Sequence, residues 1–131
     1  IIISVQRYII TGVSGFVGKN FIKYLNANIR QSEILGIDIR PFDIHPENYE
    51  HLKFKFERSD LKDKDTLCKL IYNFRPDFIL HLASYSSVAE SWKSPVNSFQ
   101  NNVNIFLDLF SFFISSPLYP TASFNNSDCH I

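Results

Sequence analysis

Three of the four glycines in this chain of 131 residues fall within one short segment, Thr11-Gly12-Val13-Ser14-Gly15-Phe16-Val17-Gly18. The segment lies between a β-prone run and a run of helical periodicity, which is the context that a phosphate-binding turn requires. Gly12 permits a tight exit from the strand, Gly15 lets an anion approach the backbone, and Gly18 allows close packing of helix on sheet. Amides from Ser14 to Val17 and the positive end of the helix dipole would then hold a diphosphate. The alternative interpretation is an ordinary glycine-rich turn.

Asp38 supports the phosphate-binding interpretation. It ends the next predicted strand, 20 residues after Gly18, where an acidic group can accept hydrogen bonds from an adenosine ribose. A carboxylate at this position repels a 2′-phosphate, so we expect NAD as the cofactor. Arg40 lies two residues further on and could pair with a 2′-phosphate, which leaves NADP as the alternative. Asp38 could also be an ordinary solvated aspartate at the end of a strand.

The elements that would position these residues alternate between two hydrophobic periods. Short apolar runs predict strands at residues 8–10, 34–37 and 78–83, the last of them buried on both faces. Alternation of Leu52, Phe54 and Phe56 with charged residues predicts another strand, with one face in water. Helical stripes predict helices over residues 15–28 and before Pro76, the second capped by Asp63 or Asp65.

The last predicted helix begins at Ser94-Pro95, in the favoured order of a capping residue followed by proline. Its buried side is expected to consist of Val96, Phe99, Val103, Phe106 and Phe110. The order strand, helix, strand, strand, helix, strand, helix predicts an α/β fold. We expect a Rossmann-like, doubly wound parallel sheet that is truncated to about four strands with flanking helices.

Composition excludes several classes of function. Thirteen basic residues balance thirteen acidic ones, so the chain lacks the positive charge of a nucleic-acid-binding protein. The longest nearly apolar stretch is too short to cross a bilayer, and the start of the chain does not have the pattern of a signal peptide. Cys68 and Cys129 show no CxxC spacing, which argues against a zinc site and against a disulfide scaffold. We therefore expect no membrane or nucleic-acid partner, no metal and a cytoplasmic location.

Further motifs follow the glycine-rich turn in a fixed order. They are Ser59-Asp60-Leu61 after the third predicted strand, His81-Leu82-Ala83-Ser84 at the end of the fourth, and the segment from Ser86 to Pro95, followed by Asn102-Val103. With these motifs the chain resembles the extended short-chain dehydrogenase/reductase family, the NAD-dependent epimerases and dehydratases of nucleotide sugars. The resemblance covers about residues 7 to 110, the N-terminal part of such enzymes. The sequence of residues 86–95 is most similar to that of the GDP-mannose 4,6-dehydratase and GDP-4-keto-6-deoxymannose reductase types.

The resemblance implies a role for each motif. The Asp60-Leu61 pair would hold the adenine, and the segment Leu82, Ala83 and Ser84 would line the nicotinamide side of the cofactor. Ser86, Ser87 and Asn102 are candidates for the nucleotide-sugar substrate. The cofactor-binding set is therefore Gly12, Ser14, Gly15, Phe16, Val17, Gly18, Asp38, Arg40, Asp60, Leu61, Leu82, Ala83 and Ser84.

No catalytic residue is assigned. Members of this family use a Tyr-x-x-x-Lys pair, in which the lysine lowers the pKa of the tyrosine so that it can transfer a proton. Tyr49 and Lys53 match numerically, but they precede the fourth-strand motif and Lys53 begins an alternating strand, so we reject them. We expect residues 1–110 to form an incomplete NAD(P)-binding domain, residues 111–131 to be an irregular or divergent tail, and the chain alone to be inactive.

Two functions of different classes remain open at this stage. The chain is either the cofactor-binding N-terminal portion of an enzyme that oxidises a sugar transiently and then eliminates, epimerises or reduces, or a non-catalytic dinucleotide-binding module for sensing or interaction. An unrelated nucleotide-binding α/β protein is a minor third possibility. Aromatic residues of the last helix (Phe106, Phe110, Phe112 and Phe113) would lack cover in such a truncated domain, which favours a homo-oligomer or aggregation.

Overall fold

The structure, a computed structural model, describes residues 4–29, 31–43, 49–84 and 88–115. It divides into two compact units. The first comprises the chain up to Asp60 together with Phe74–Ala83, and the second comprises Leu61–Asn73 and the described residues from Ser84 onward.

The first unit contains a four-stranded parallel sheet. Its strands are β1 (Gln6–Thr11), β2 (Ser32–Asp38), β3 (Leu52–Arg58) and β4 (Phe78–His81), arranged in the order β3-β2-β1-β4. The chain therefore moves to one side of β1 for β2 and β3 and to the other side for β4. Ligands of open α/β sheets bind beyond the carboxyl ends of the strands at such a reversal. Thr11 at the end of β1 is in register with Ile37 and with His81, so three strand ends meet there.

Helix α1 (Phe16–Asn28) joins β1 to β2 and packs on one face of the sheet. Alternation along the strands and helical spacing along α1 place their apolar side chains in one cluster. The cluster is built around Tyr8, Ile10, Val13, Ile22, Leu25, Ile34 and Leu52. On β3, Lys53 and Lys55 are exposed between partly buried phenylalanines, as the alternating sequence predicts.

The prediction that β4 is buried on both faces is wrong. Phe78 is half-exposed and the rest of β4 is only partly buried, because β4 is an edge strand of the described sheet. Phe78 instead stacks on Tyr8 of β1, with the two ring centroids 5.1 Å apart. An apolar run in the sequence does not show whether other elements will cover both faces of the strand.

The second unit contains three helices, α2 (Lys64–Phe74, whose last residue belongs to the first unit), α3 (Val88–Lys93) and α4 (Pro95–Ser115). Asp63 caps α2, because its carboxylate accepts hydrogen bonds from the amide and the hydroxyl of Thr66. These bonds, the hydroxyl's first, lower the pKa of Asp63. An ion pair of 3.1 Å between Lys64 Nζ and Asp108 Oδ1 connects α2 to α4.

The buried side predicted for α4 is wrong. Helix α4 begins at Pro95 as predicted, but Ile105, Leu109 and Phe112 are its buried residues. At least a third of each side chain in the predicted set is exposed: Val96, Phe99, Val103, Phe106 and Phe110. The helix carries apolar residues on more than one side, so its sequence does not specify which stripe is covered. The helix also continues five residues past Phe110, to Ser115.

The structure also bears on the sequence expectations for the cysteines and for membrane-spanning segments. Cys68 is buried in α2 and disulfide-bonded, which contradicts the expectation from cysteine spacing; the other cysteine, Cys129, lies outside the described residues. No helix within the described ranges combines the length and the hydropathy needed to span a membrane.

Candidate functional site

The glycine-rich segment forms a tight turn between β1 and α1. Gly12 has a φ of 70°, a left-handed conformation that side chains disfavour. Its amide donates to the carbonyl of Ile37 at 2.8 Å, and the amide of Gly15 donates to the carbonyl of Gly12 at 3.1 Å. A Cβ on Gly12 would lie 2.7 Å from the backbone nitrogen of Ala83. Gly12 therefore allows both the turn and the close passage of the chain that follows β4.

Helix α1 begins without a capping side chain. Gly15 is its N-cap residue, no side chain accepts a hydrogen bond there, and the first bond across the helical turn runs from Lys19 N to Gly15 O at 3.1 Å. The amides of Phe16 and Val17 precede that bond, so they have no acceptor within the helix. Amides of this kind, together with the helix dipole, form an anion-binding position. The absence of a Cβ on Gly15 leaves the approach to them open.

Close packing at Gly18 fixes the position of the start of α1. A Cβ on Gly18 would lie 2.6 Å from the carbonyl oxygen of Val13 and 2.7 Å from its Cα. Both atoms belong to the backbone of the turn, so no side chain can be accommodated there without a shift of the helix. The start of the helix thus packs closely on the turn that follows β1, whereas the sequence predicted close packing of the helix on the sheet.

Asp38, at the end of β2, connects the turn to the segment after β2. Its Oδ2 accepts the amide of Ser14 at 3.0 Å, and its Oδ1 accepts the amide of Arg40 at 2.9 Å. The Ser14 hydroxyl donates to the carbonyl of Arg40 at 3.1 Å. The amides of Ser14 and Gly15 therefore donate to Asp38 and to Gly12 O, respectively. Of the amides from Ser14 to Val17 that are expected to hold a diphosphate, those of Phe16 and Val17 have no acceptor within the helix.

Thr11 and His81, at the ends of β1 and β4, form a hydrogen-bonded pair that the sequence analysis did not assign. Thr11 Oγ1 lies 2.6 Å from His81 Nδ1 and also accepts the amide of Ala83 at 3.3 Å. Partial burial lowers the pKa of His81, which favours a neutral ring whose Nδ1 accepts the Thr11 proton. The sequence signal was a threonine directly after the apolar run Tyr8-Ile9-Ile10, and in the structure Thr11 is fully buried. The pair fixes Leu82 and Ala83 beside Gly12.

The other candidate residues are distributed between the two units. Asp60 is exposed at the end of the first unit, whereas Leu61, Ser84 and Asn102 belong to the second. Leu61 is buried, Ser84 is exposed, and Asn102 is half-buried on α4. Ser86 and Ser87 lie outside the described residues. The structure thus brings together in the first unit the glycine-rich turn, Asp38, Arg40, Leu82 and Ala83.

The numerical Tyr-x-x-x-Lys match does not form a catalytic pair. Lys53 lies on β3, and its Nζ is 3.5 Å from Glu33 Oε1. Tyr49 packs against the core of the first unit, and burial raises its pKa, the opposite of what proton transfer near neutral pH requires. Within the described ranges, no group of three or more His, Cys, Asp or Glu side chains could hold a metal ion.

Comparison with known proteins gives one family. The model of the NAD dependent epimerase/dehydratase family matches residues 8–122. The dTDP-D-glucose 4,6-dehydratase of Dictyostelium discoideum is 28% identical over 103 residues, which cover 76% of this chain and 24% of that protein. The chain therefore spans about a quarter of the length of this curated relative.

Solved structures agree in fold. The UDP-Glc/GlcNAc 4-epimerase of Campylobacter jejuni superimposes with a TM-score of 0.71 at 22% identity, over 86% of this chain and 35% of that one. The UDP-glucose 4-epimerase of Thermus thermophilus, solved in complex with NAD, gives a TM-score of 0.65 at 28% identity over the same shares. These likenesses confirm the Rossmann-like fold predicted from the sequence.

The narrower expectation of a GDP-mannose type stays a prediction, since the relative described above acts on dTDP-glucose by name. The family expectation itself is confirmed by a match that covers most of the chain. Parallel strands, a glycine-rich turn before α1 and an acidic residue closing β2 are the features expected of that family. The chain belongs to the NAD dependent epimerase/dehydratase family.

Proposed function

We propose that this chain is the cofactor-binding portion of an NAD-dependent enzyme that dehydrates or epimerises a nucleotide sugar. The observation that carries the proposal is that α1 begins without a capping side chain. It does so directly after a turn in which Gly12 has a left-handed φ, a conformation that favours glycine. A carboxylate closes the neighbouring strand β2 at Asp38. Family membership and the named ligand of the Thermus thermophilus epimerase support NAD as the dinucleotide.

The residues present fit a dinucleotide. The amides of Phe16 and Val17 would hold the diphosphate, and the Asp38 carboxylate would accept hydrogen bonds from the ribose next to the adenine. Asp60 and Leu61 are proposed for the adenine, and Leu82, Ala83 and Ser84 for the nicotinamide side. When bound, the nicotinamide supplies a reversible hydride acceptor for oxidation of a sugar hydroxyl. Ser86, Ser87 and Asn102 stay candidates for the substrate.

The chain's own residues position the cofactor rather than transfer protons. The Thr11–His81 pair holds Ala83 against the turn, and Asp38 holds the turn against the segment after β2. We assign no proton-transfer group, because Tyr49 and Lys53 are engaged elsewhere. We therefore expect residues 1–131 alone to bind the cofactor without measurable turnover.

Titration calorimetry with NAD on the wild type and on Asp38→Ala tests the proposal. The wild type should bind NAD, and Asp38→Ala should bind it at least about tenfold more weakly, because it loses the ribose acceptor and the support of the turn. Asp43→Ala, an exposed carboxylate on the same segment, is the matched control and should bind like the wild type. A folded wild type that does not bind NAD would refute the proposal.

A non-catalytic dinucleotide-binding module is the second candidate. It is favoured by the engagement of Lys53 with Glu33 and by the raised pKa of Tyr49, because these leave the single Tyr-x-x-x-Lys match without catalytic geometry. Sequencing the gene beyond the codon for Ile131 separates the two candidates. A downstream Tyr-x-x-x-Lys supports the enzyme, and its absence supports the module.

We also propose that α4 mediates self-association. Val96, Phe99, Val103, Phe106 and Phe110 recur at helical spacing and are exposed, and the rings of Phe106 and Phe110 stack with centroids 6.3 Å apart. Exposed apolar patches of this kind mark interaction sites. Light scattering should show a dimer or a larger species for the wild type and a smaller one for Phe106→Glu. Equal masses would contradict the proposal.

A further inference from the structure

Gly36 is the glycine of this chain that lies outside the phosphate-binding turn, in the interior of β2. A glycine inside a strand has no side chain to pack and often marks the close approach of another group. Its backbone is not left-handed, so the conformation itself does not require glycine. A Cβ on Gly36 would lie 2.8 Å from Cγ1 of Val13 and 3.0 Å from Cζ of Phe54. One side chain from the turn and one from β3 therefore occupy the space beside this backbone.

Val13 is held between two glycines that are distant in the sequence. It is fully buried, with its side chain against Gly36 of β2 and its backbone against Gly18 of α1. A Cβ on either glycine would come closer than 3.0 Å to Val13, so a side chain at either position would displace it. Phe16 and Val17 lie between Val13 and Gly18 in the chain. Displacement of Val13 would therefore also move the two amides that are expected to hold the diphosphate.

The end of β2 also binds the turn through two hydrogen bonds on either side of Val13. The amide of Gly12 donates to the carbonyl of Ile37 at 2.8 Å, and the amide of Ser14 donates to Asp38 at 3.0 Å. Hydrogen bonds of this kind form over a range of about 2.7–3.2 Å, so they tolerate small movements of the turn. A close-packed side chain has no such tolerance on its crowded side. The packing of Val13 on β2 therefore sets how deeply the turn sits.

We propose that Gly36 is a positioning residue for dinucleotide binding, because the space left by its missing side chain seats Val13 and thereby sets the position of the Phe16 and Val17 amides. The inference rests on the proposed cofactor-binding function. Gly36 is buried, so it acts through Val13 rather than by contact with the ligand. A side chain at this position would lift the turn from β2 and move the two amides away from the diphosphate.

Calorimetry with NAD on Gly36→Ala and on two double variants tests the inference, with no turnover required. Gly36→Ala should bind NAD at least about tenfold more weakly than the wild type, because its amides are displaced. Val13→Ala removes the atom nearest to the new methyl group, so Val13→Ala/Gly36→Ala should recover affinity to within about threefold of the wild type. Phe54→Leu/Gly36→Ala relieves the overlap with β3 but not with the turn, so its affinity should stay low.

Two further measurements distinguish positioning from a general loss of stability. Leu35→Val removes one buried methylene group from the opposite face of β2. It should lower the unfolding midpoint in urea and change the affinity for NAD by about twofold or less. In amide NMR without ligand, the Phe16 and Val17 signals should shift in Gly36→Ala and move back toward their wild-type positions in Val13→Ala/Gly36→Ala.

The outcomes separate this inference from the function on which it rests. If the wild type and a folded Gly36→Ala bind NAD equally well, the positioning role is wrong and cofactor binding stands. If Gly36→Ala alone does not fold, the double variants give the answer: recovery of NAD binding through Val13→Ala but not through Phe54→Leu supports the role. Equal recovery in both double variants, or recovery in neither, refutes it. A folded wild type that does not bind NAD refutes the proposed function together with this inference.

Discussion

Replacement of Gly12 by alanine is the perturbation whose effect follows most directly from the geometry of the turn. The residue has a φ of 70°, and a Cβ would lie 2.7 Å from Ala83 N and 2.8 Å from Leu82 C. Each of these contacts is with backbone, so a rotamer change cannot relieve it. Gly12→Ala should therefore force apart the end of β1 and the segment that follows β4.

Two effects lower the free energy of unfolding of Gly12→Ala, and one effect raises it. The left-handed conformation costs a residue with a Cβ about 1–2 kcal/mol, and the steric overlap costs about 1–3 kcal/mol. The reduced entropy of the unfolded chain returns about 0.4–1 kcal/mol. The free energy of unfolding should therefore fall by about 1–5 kcal/mol, a large share of the ~5–15 kcal/mol typical of a domain.

Urea unfolding followed by circular dichroism measures this change, and Gly15→Ala is the matched control. Gly15 has a φ of −78°, which suits alanine, and its added Cβ would lie 3.2 Å from Gly12 O, a tight contact that a shift of a few tenths of an ångström would relieve. We expect Gly15→Ala to change the free energy of unfolding by less than about 1 kcal/mol. Equal unfolding midpoints for Gly12→Ala and Gly15→Ala would refute the geometry assigned to the turn.

Three further predictions concern the first unit. Burial lowers the pKa of His81 from its ordinary value of about 6.5, so the unfolded chain binds the proton more readily, and the free energy of unfolding should fall as the pH drops below about 6.5. Urea unfolding between about pH 7.5 and about pH 5.5 should show this slope in the wild type and in His51→Gln, an exposed control, but less of it in His81→Gln; an unchanged slope in His81→Gln would contradict the assignment. Thr11→Val should lower the free energy of unfolding by about 1–3 kcal/mol, because the Ala83 amide and His81 Nδ1 lose their partner, and equal stability in urea would show that the bonds contribute nothing. Asp38→Asn should bind NAD better than Asp38→Ala in calorimetry, because its side-chain oxygen can still accept the Ser14 amide, and equal loss in both variants would show that charge alone matters.

Much of the first unit was predictable because its determinants are local. The spacing of Gly12, Gly15 and Gly18 predicts both the turn and the helix that follows, since Gly12 has a left-handed φ and Gly18 packs on the backbone of Val13, five residues earlier. Alternation of Lys53 and Lys55 with phenylalanines likewise predicts the two faces of β3. Residues that are close together in the sequence determine these features, so contacts between distant parts of the chain are not needed to predict them.

The incorrect predictions depend on neighbours that are distant in sequence. The predicted buried stripe of α4 is exposed because the helix is apolar on several sides, and only tertiary packing selects Ile105 and Leu109 for burial. Burial of β4 on both faces would have required elements packed over both of its faces. The hydrogen bond from Thr11 to His81 joins residues 70 positions apart, so it emerges only from the parallel register of β1 and β4.

The hydrogen bond from the Ser14 amide to Asp38 also joins residues that are distant in the sequence. Both residues were assigned to cofactor binding from the sequence, but their mutual hydrogen bond depends on how the turn and the end of β2 meet. Arg40 was considered as a partner for a 2′-phosphate. Its Nε lies 3.6 Å from Asp38 Oδ1, a contact that the spacing of the two residues in the sequence does not specify.

The central claim is that a diphosphate binds at the amides of Phe16 and Val17, and amide NMR during titration with ADP tests it most directly. Saturable shifts of these two amide signals in the wild type, with much weaker binding by the folded Gly15→Ala variant, are the predicted result. Signals of Phe16 and Val17 that do not move while the protein stays folded, or equal binding of ADP by Gly15→Ala, would contradict it.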